Sequence, residues 1–150
     1  MKILNRQKGQ TLIETAIILL LLLFIVFGIT EFARAWFIKN SAKNAARTGA
    51  RVAVVTLGIT TDPSESYDLS GCSGTPTGNT KVFCSIWNSP GMKEATASIT
   101  LTDTNEDEII PNAGDTVSIS VTTPFKRVVP NQLLPFIPSQ FTADASMRYE

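Results

Sequence analysis

Histidine is missing from this chain altogether. That removes the commonest general base and the commonest metal ligand in one stroke. Cysteine is scarce: Cys72 and Cys84 are the whole supply, and without histidine they make half of a zinc ligand set. A surplus of either charge is lacking too, since 13 Lys and Arg balance 13 Asp and Glu for a net charge of zero. Nothing in that balance offers an electrostatic footprint for nucleic acid or for an acidic partner. There is no glycine-rich phosphate loop and no pair of carboxylates in an apolar setting. The expectation is therefore no enzyme, no catalytic residue, no metal, no cofactor and no nucleic-acid partner.

What the chain does have is one long apolar run near its start, after Lys8-Gly9-Gln10-Thr11-Leu12-Ile13-Glu14. Sixteen residues, none charged, separate Glu14 from Glu31. As a helix they rise about 24 Å, against a hydrocarbon core of roughly 30 Å. Counting from Leu12 lengthens the span but places Glu14 inside the membrane or at its edge. Leu12, Ile13, Leu19, Leu22 and Phe24 read as the membrane anchor, with Trp36 at the far interface. A carboxylate at such depth is costly unless paired or used. A cut after Gly9 would give Gln10 a new amine one helical turn from Glu14, on the same chain or a neighbour. The competing reading is a carboxylate that snorkels to water. Cleavage of the run as a secretory signal fits poorly, because the stretches 27–30 and 30–33 lack small residues at the required positions and the helical pattern continues.

Lys2, Arg6 and Lys8 precede the span without an acid among them, which favours a cytoplasmic N-terminus. Arg34, Lys39, Lys43 and Arg47 on the other flank leave the raw count undecided. The cysteines break the tie. With eleven residues between them, they read as one disulfide in an oxidising compartment. Closing that loop stabilises the fold by about 3 kcal/mol in the chain-entropy model.

Beyond the span, no proline interrupts Glu31 to Leu57. Lys39, Lys43, Arg47 and Arg51 form one basic stripe, read as solvated. Ala42, Ala45, Ala46, Gly49, Ala50 and Ala53 form a second stripe of small residues, suited to close packing on this chain's own sheet or on another chain. Together with the span they predict one helix of about 45 residues, roughly 70 Å long.

Lys8 to Glu14 resembles the type IV prepilin processing site, a glycine followed by four residues and a glutamate. Gly9 to Val55 resembles the TadE-like pseudopilins of tight-adherence (Tad) pilus systems. The segment carries that family's glutamate and aliphatic run. It also has Gly28, Ile29, Glu31, Phe32 and Arg34 in the family's spacing, and the Ala45-Ala46-Arg47-Thr48-Gly49-Ala50-Arg51 signature. The stretch 145–150 is similar to the family's last strand. Thr15 stands where the family usually has Phe, and Leu20 where many members have Pro, which makes for a straighter helix. The resemblance implies that a prepilin peptidase cuts between Gly9 and Gln10 and that Glu14 helps dock subunits. It further implies partnership with other pilin-like subunits, an inner-membrane assembly platform and membrane lipid. The location implied is the bacterial inner membrane, single-pass, with a periplasmic C-terminal part, or an extracellular pilus after assembly.

Residues 58–93 are rich in Gly, Pro, Ser, Thr and Asn. They read as a connection stapled by Cys72 and Cys84, with one short strand near Val82 to Trp87. Residues 94–150 hold three alternating segments around Ala95–Thr102, Val117–Thr122 and Phe141–Glu150, the pattern of half-buried strands. Residues 110–115 read as a turn before the second. The proline-punctuated apolar stretch 124–140 reads as a flap over one sheet end, or as a docking surface for a partner. Asp103, Asn105 and Asp107 open like a calcium loop, but Glu108 and Gly114 occupy the positions that need Gly and Glu, so an EF-hand is excluded.

The expected fold is α+β: a leader (1–9), a long membrane-spanning helix (10–57), the stapled connection (58–93) and a small antiparallel sheet (94–150) covered by the helix's alanine face. The leading functional expectation is a minor pilin-like structural subunit. An uncleaved single-pass envelope protein with a partner-binding sheet and a type II secretion pseudopilin are the alternatives.

Overall fold

The computed structural model describes residues 4–66, 72–103, 113–129 and 135–150. The first element, α1, is a helix over Leu4–Val54. Leucine, isoleucine and alanine dominate it and proline is absent from it, so nothing interrupts its backbone ladder. It ends where Thr56 turns back on it: the Thr56 hydroxyl donates to Val52 O at 2.6 Å and its amide to Ala53 O at 3.0 Å. Gly58 then takes φ +74°, a left-handed conformation that releases the chain from the helix.

Contacts group the chain into two units. One comprises Met1–Arg34 with Arg127–Ile137, and the other Ala35–Lys126 with Pro138–Glu150. The second holds the hydrophobic core. Its sheet is a meander of β1 (Asp62–Ser66), β2 (Thr96–Thr102), β3 (Thr116–Pro124) and β4 (Gln140–Arg148), antiparallel and in chain order. The expected period of two holds along it. Ala97, Ile99, Val117, Ile119 and Val121 are buried, while their neighbours along each strand point away. Register places Ile99 opposite Ile119 and Ile119 opposite Ala145, so one apolar row crosses three strands. β1 was not foreseen. It pairs with β2 through a bulge between Asp62 and Glu65.

The strand expected near Val82 to Trp87 is instead a helix, α2 (Gly78–Trp87). Val82, Phe83, Ile86 and Trp87 are all buried. Their spacing, at i, i+1, i+4 and i+5, sets one helical face rather than alternate faces of a strand. Phe83 and Trp87 stack with ring centroids 5.5 Å apart. The Asn79 side chain accepts from the Thr60 amide (3.0 Å) and donates to Thr60 O (3.1 Å), mimicking a strand partner and tying the start of α2 to the chain before β1. Cys84 on α2 is disulfide-bonded to Cys72, with Cα atoms 5.7 Å apart.

The C-terminal part of α1 covers the sheet. Ala42, Ala45, Ala46, Ala50 and Ala53 have no exposed surface and belong to one core cluster with Ile86, Ile119 and Val121. Gly49 is a point of close approach. A Cβ built there would lie 2.9 Å from Ile86 Cδ1 and Cγ1, and 3.4 Å from Ile119 Cγ2. Both α2 and β3 therefore meet α1 at a residue without a side chain.

Gly49→Leu is expected to destabilise the second unit by about 1–3 kcal/mol through overpacking. Gly49→Ala should cost less, because the gain in helix propensity, up to about 1 kcal/mol, offsets part of the displacement of Ile86. Thermal unfolding of the full chain in detergent, followed by near-ultraviolet circular dichroism, checks the ranking.

Candidate functional site

The first half of α1 is an apolar surface without protein cover. Leu12 (72%), Ile13 (65%), Leu19, Leu22 and Phe24 are exposed, as is every large apolar side chain from Ile17 to Phe27. A patch of that extent marks an interaction surface. The helix is long and apolar enough to cross a membrane, with mean hydropathy 2.9 in its best window and none of that window buried. Its hydroxyls need no water. Thr15 donates to Thr11 O at 2.8 Å, and Thr30 to Val26 O at 2.7 Å. Such bonds back to residue i−4 satisfy the groups inside lipid. Thr15, the departure from the expected Phe, is therefore compatible with an apolar surrounding.

Gly9, Gln10 and Glu14 lie in the opening turns of α1, all exposed. No heavy atom lies within 4 Å of a Cβ built at Gly9. Glu14 is in neither of the ion pairs Arg34–Glu31 and Lys126–Glu94. Gln10 and Glu14 are four residues apart on one continuous helix, so they share a face.

A second carboxylate is more deeply engaged. Glu31 closes the uncharged run and is only 3% exposed. Its Oε2 accepts from Arg34 Nη1 at 2.9 Å, and its Oε1 accepts from the Val128 amide at 2.9 Å. Both partners belong to the same unit, which joins the first part of α1 to Arg127–Ile137. The stretch 124–140, expected as a flap over a sheet end, thus divides. Phe125 packs edge-on to Phe141 at 5.7 Å, on the sheet. Residues 127–129 and 135–137 group with the apolar helix instead, and 130–134 lie outside the described residues. The physical reason is the carboxylate: a buried Glu31 needs donors, and the Val128 amide is one.

The remaining sequence-derived positions fall on the second half of α1. Trp36 is 57% exposed. Lys39, Lys43, Arg47 and Arg51 are all exposed, as a solvated stripe requires. The small-residue stripe, Ala42 to Ala53 with Gly49, is sealed against the chain's own core. Of the two occupants open to that face, the chain's own sheet has taken it.

Sequence reading missed the roles of four residues. Glu31 and Arg34 stand at i, i+3 after an apolar run, a spacing that signals a pair. Val128 is 97 positions from Glu31, and no local pattern announces such a partner. Tyr149 was placed only as a strand residue, yet its hydroxyl donates to Ala53 O at 3.2 Å and latches the end of α1. Burial, and then the Asp115 carboxylate, push the Tyr149 phenol above its ordinary pKa, which keeps that donor protonated. No group of three or more candidate metal ligands occurs among the described residues. Asn105, Asp107 and Glu108 of the calcium-like stretch, and residues 110–112 of the expected turn, lie outside them.

Residues 9–51 match the family model of the TadE-like proteins. The matched stretch begins at the glycine of the processing-site resemblance and ends at the last arginine of the basic stripe. It lies wholly within α1. The match covers less than a third of the chain, and it coincides with the helix whose exposed apolar surface is long enough to cross a membrane. No curated protein and no solved structure matches the chain.

Glu31→Ala leaves the Val128 amide without its acceptor, a loss of about 1–3 kcal/mol where the group stays buried. Hydrogen exchange in the peptide covering 127–137 should accelerate in this variant. Glu31→Gln, which keeps an acceptor oxygen, should exchange nearly as the parent does. Equal acceleration in both variants would show that the charge, not the acceptor, holds the segment.

Proposed function

We propose that this chain is a minor pilin-like subunit of a Tad pilus or a related secretion and adhesion filament. A prepilin peptidase cuts it between Gly9 and Gln10. The mature chain waits in the inner membrane, its N-terminus toward the cytoplasm and its disulfide-bonded domain in the periplasm. It then passes onto an assembly platform and packs with other pilin-like subunits through the exposed first half of α1. The observation that carries this reading is the coincidence of the family match with that exposed surface. The residues that would direct assembly (Gly9, Gln10 and Glu14) sit at the free end of the helix, while the residues that hold the domain together sit at the other end.

The mechanism follows from charge and length. A bundle of such helices in lipid places Glu14 among apolar neighbours, where an unpaired carboxylate is costly. The cut supplies a compensating charge. The new amine on Gln10 of a neighbouring subunit can approach Glu14, and the pairing then fixes the axial register between two helices. Without the cut the amide nitrogen of Gln10 stays neutral and the register has no anchor. Because α1 continues through Gly9 and Gln10, the peptidase must open the first turns of the helix. The scarcity of contacts at Gly9 makes that opening cheap.

Intact mass of the membrane-fraction protein should correspond to a chain starting at Gln10. Retention of residues 1–9 would overturn the reading. Glu14→Ala should be processed like the parent yet enter filaments poorly, as measured by shear-fraction immunoblotting. Normal incorporation of that variant would remove the pairing role while leaving the processing claim standing.

A further inference from the structure

Lys39, Lys43, Arg47 and Arg51 stand four residues apart on α1, all exposed. Like charges at that spacing weaken a helix, and no acidic residue offsets them: the chain has none between Glu31 and Asp62. The four cations are in neither of the ion pairs Arg34–Glu31 and Lys126–Glu94. The alanine stripe seals another side of α1 against the core, so the basic row is turned away from the domain it belongs to. A row of cations kept at a cost in helix stability, and turned from its own acids, calls for a counter-charge outside the chain.

The chain itself carries such a counter-charge. Its net charge is zero, but the two signs are segregated. Residues 1–57 hold 8 Lys and Arg against 2 Asp and Glu, whereas residues 58–150 hold 5 against 11. Two of those acids, Asp144 and Glu150, are exposed. Asp144 lies between Ala143 and Ala145, which pack toward the core, so by strand alternation it stands on the sheet face that points away from α1. Arg148 on the same face already gives its Nε to Gly114 O at 2.8 Å. The neighbouring outward positions of β2 and β3, Ser98, Thr100, Ser118 and Ser120, bear no charge.

We propose that the basic row of one copy docks on the acidic outer side of the sheet of a second copy, where Asp144 and Glu150 lie. The two surfaces differ and sit on opposite sides of one domain, so the contact is heterologous and leaves each copy a free surface of both kinds. Headgroups fit the row less well. On a helix continuous with a membrane span the row runs along the axis for about 18 Å, more than the Debye length of about 8 Å at physiological salt, and a lipid surface meets one end of it. The inference adds a partner surface to the assembly reading, which uses the first half of α1, and it does not depend on the cut after Gly9.

The test uses the full disulfide-bonded chain, without peptidase, in density-matched detergent, with self-association read by sedimentation equilibrium at low and high sodium chloride. The parent should associate at low salt and dissociate as salt rises. Lys43→Glu, Arg47→Glu and, separately, Asp144→Lys, Glu150→Lys should each weaken association roughly tenfold or more. An equimolar mixture of the two double variants should recover it, since each reversed surface then meets its complement. The neutral pairs Lys43→Gln, Arg47→Gln and Asp144→Asn, Glu150→Gln should weaken association by less than the reversals; near-ultraviolet circular dichroism checks the fold of each. A mixture that stays dissociated, or neutral pairs that associate as the parent does, overturns the contact. Association equal in every sample and indifferent to salt assigns self-contact to the apolar helix and overturns it too, with the assembly reading left standing. Association that appears only when phosphatidylglycerol is added to the micelles, and is lost in Lys43→Glu, Arg47→Glu, assigns the row to headgroups and overturns the second-copy assignment.

Discussion

The soluble part of this protein depends on how closely one helix can approach the rest of its core. α1 contributes alanine to the core cluster at five positions, with Gly49 among them. Side chains of that size let α2 and β3 press against the helix backbone. The bulk that fills the core comes from the partners, Ile86, Phe83, Ile99 and Ile119 among them. Large residues on one side and small residues on the other interdigitate at native density. The arrangement also concentrates the constraint at Gly49, where two partners converge and the space for a methyl group is already taken.

One continuous helix thus carries two opposite surfaces in succession. Up to Phe27 its side chains are large, apolar and exposed, and its few hydroxyls are bonded inward. From Ser41 to Ala53 its buried side chains are small and its exposed ones basic or polar. The first surface is complete only with lipid or other helices around it, whereas the second is completed by its own chain. Between them lies Glu31, charged, buried and fully occupied by Arg34 and Val128. It is the only acidic residue between Glu14 and Asp62.

The sequence was informative wherever a period or a composition shift decided the structure. The membrane-crossing run, the alanine stripe and the three alternating strands were each legible because burial repeats at a fixed spacing along a local segment. The disulfide was legible because only one pairing of two cysteines exists. Failures came where the deciding partner was distant. α2 hides in a stretch rich in Gly, Ser, Thr and Asn, and its four apolar residues are too few to outvote their neighbours; they bury because α1 and the sheet supply a core. β1 is a strand because β2 offers an open edge, not because Asp62–Ser66 alternates. The Glu31–Val128 bond joins two loci 97 positions apart. Gly9, Gln10 and Glu14, the residues of the proposed processing and assembly site, are exposed and leave no imprint on the core, so only their spacing in the sequence points to them.

The cysteine bridge also sets an order of events. Cys84 sits on α2 and Cys72 ahead of it, and thiols oxidise only once the segment has left a reducing compartment. Before then, α2 is tied to the preceding chain by Asn79 and Thr60, through neutral hydrogen bonds exposed to solvent. On the proposed topology, the packing of Ile86 against Gly49 would be secured late, after the helix bearing Gly49 has entered the membrane. Export and the final closing of the core would then form one sequence, in which arrival on the far side supplies the chemistry that locks the domain.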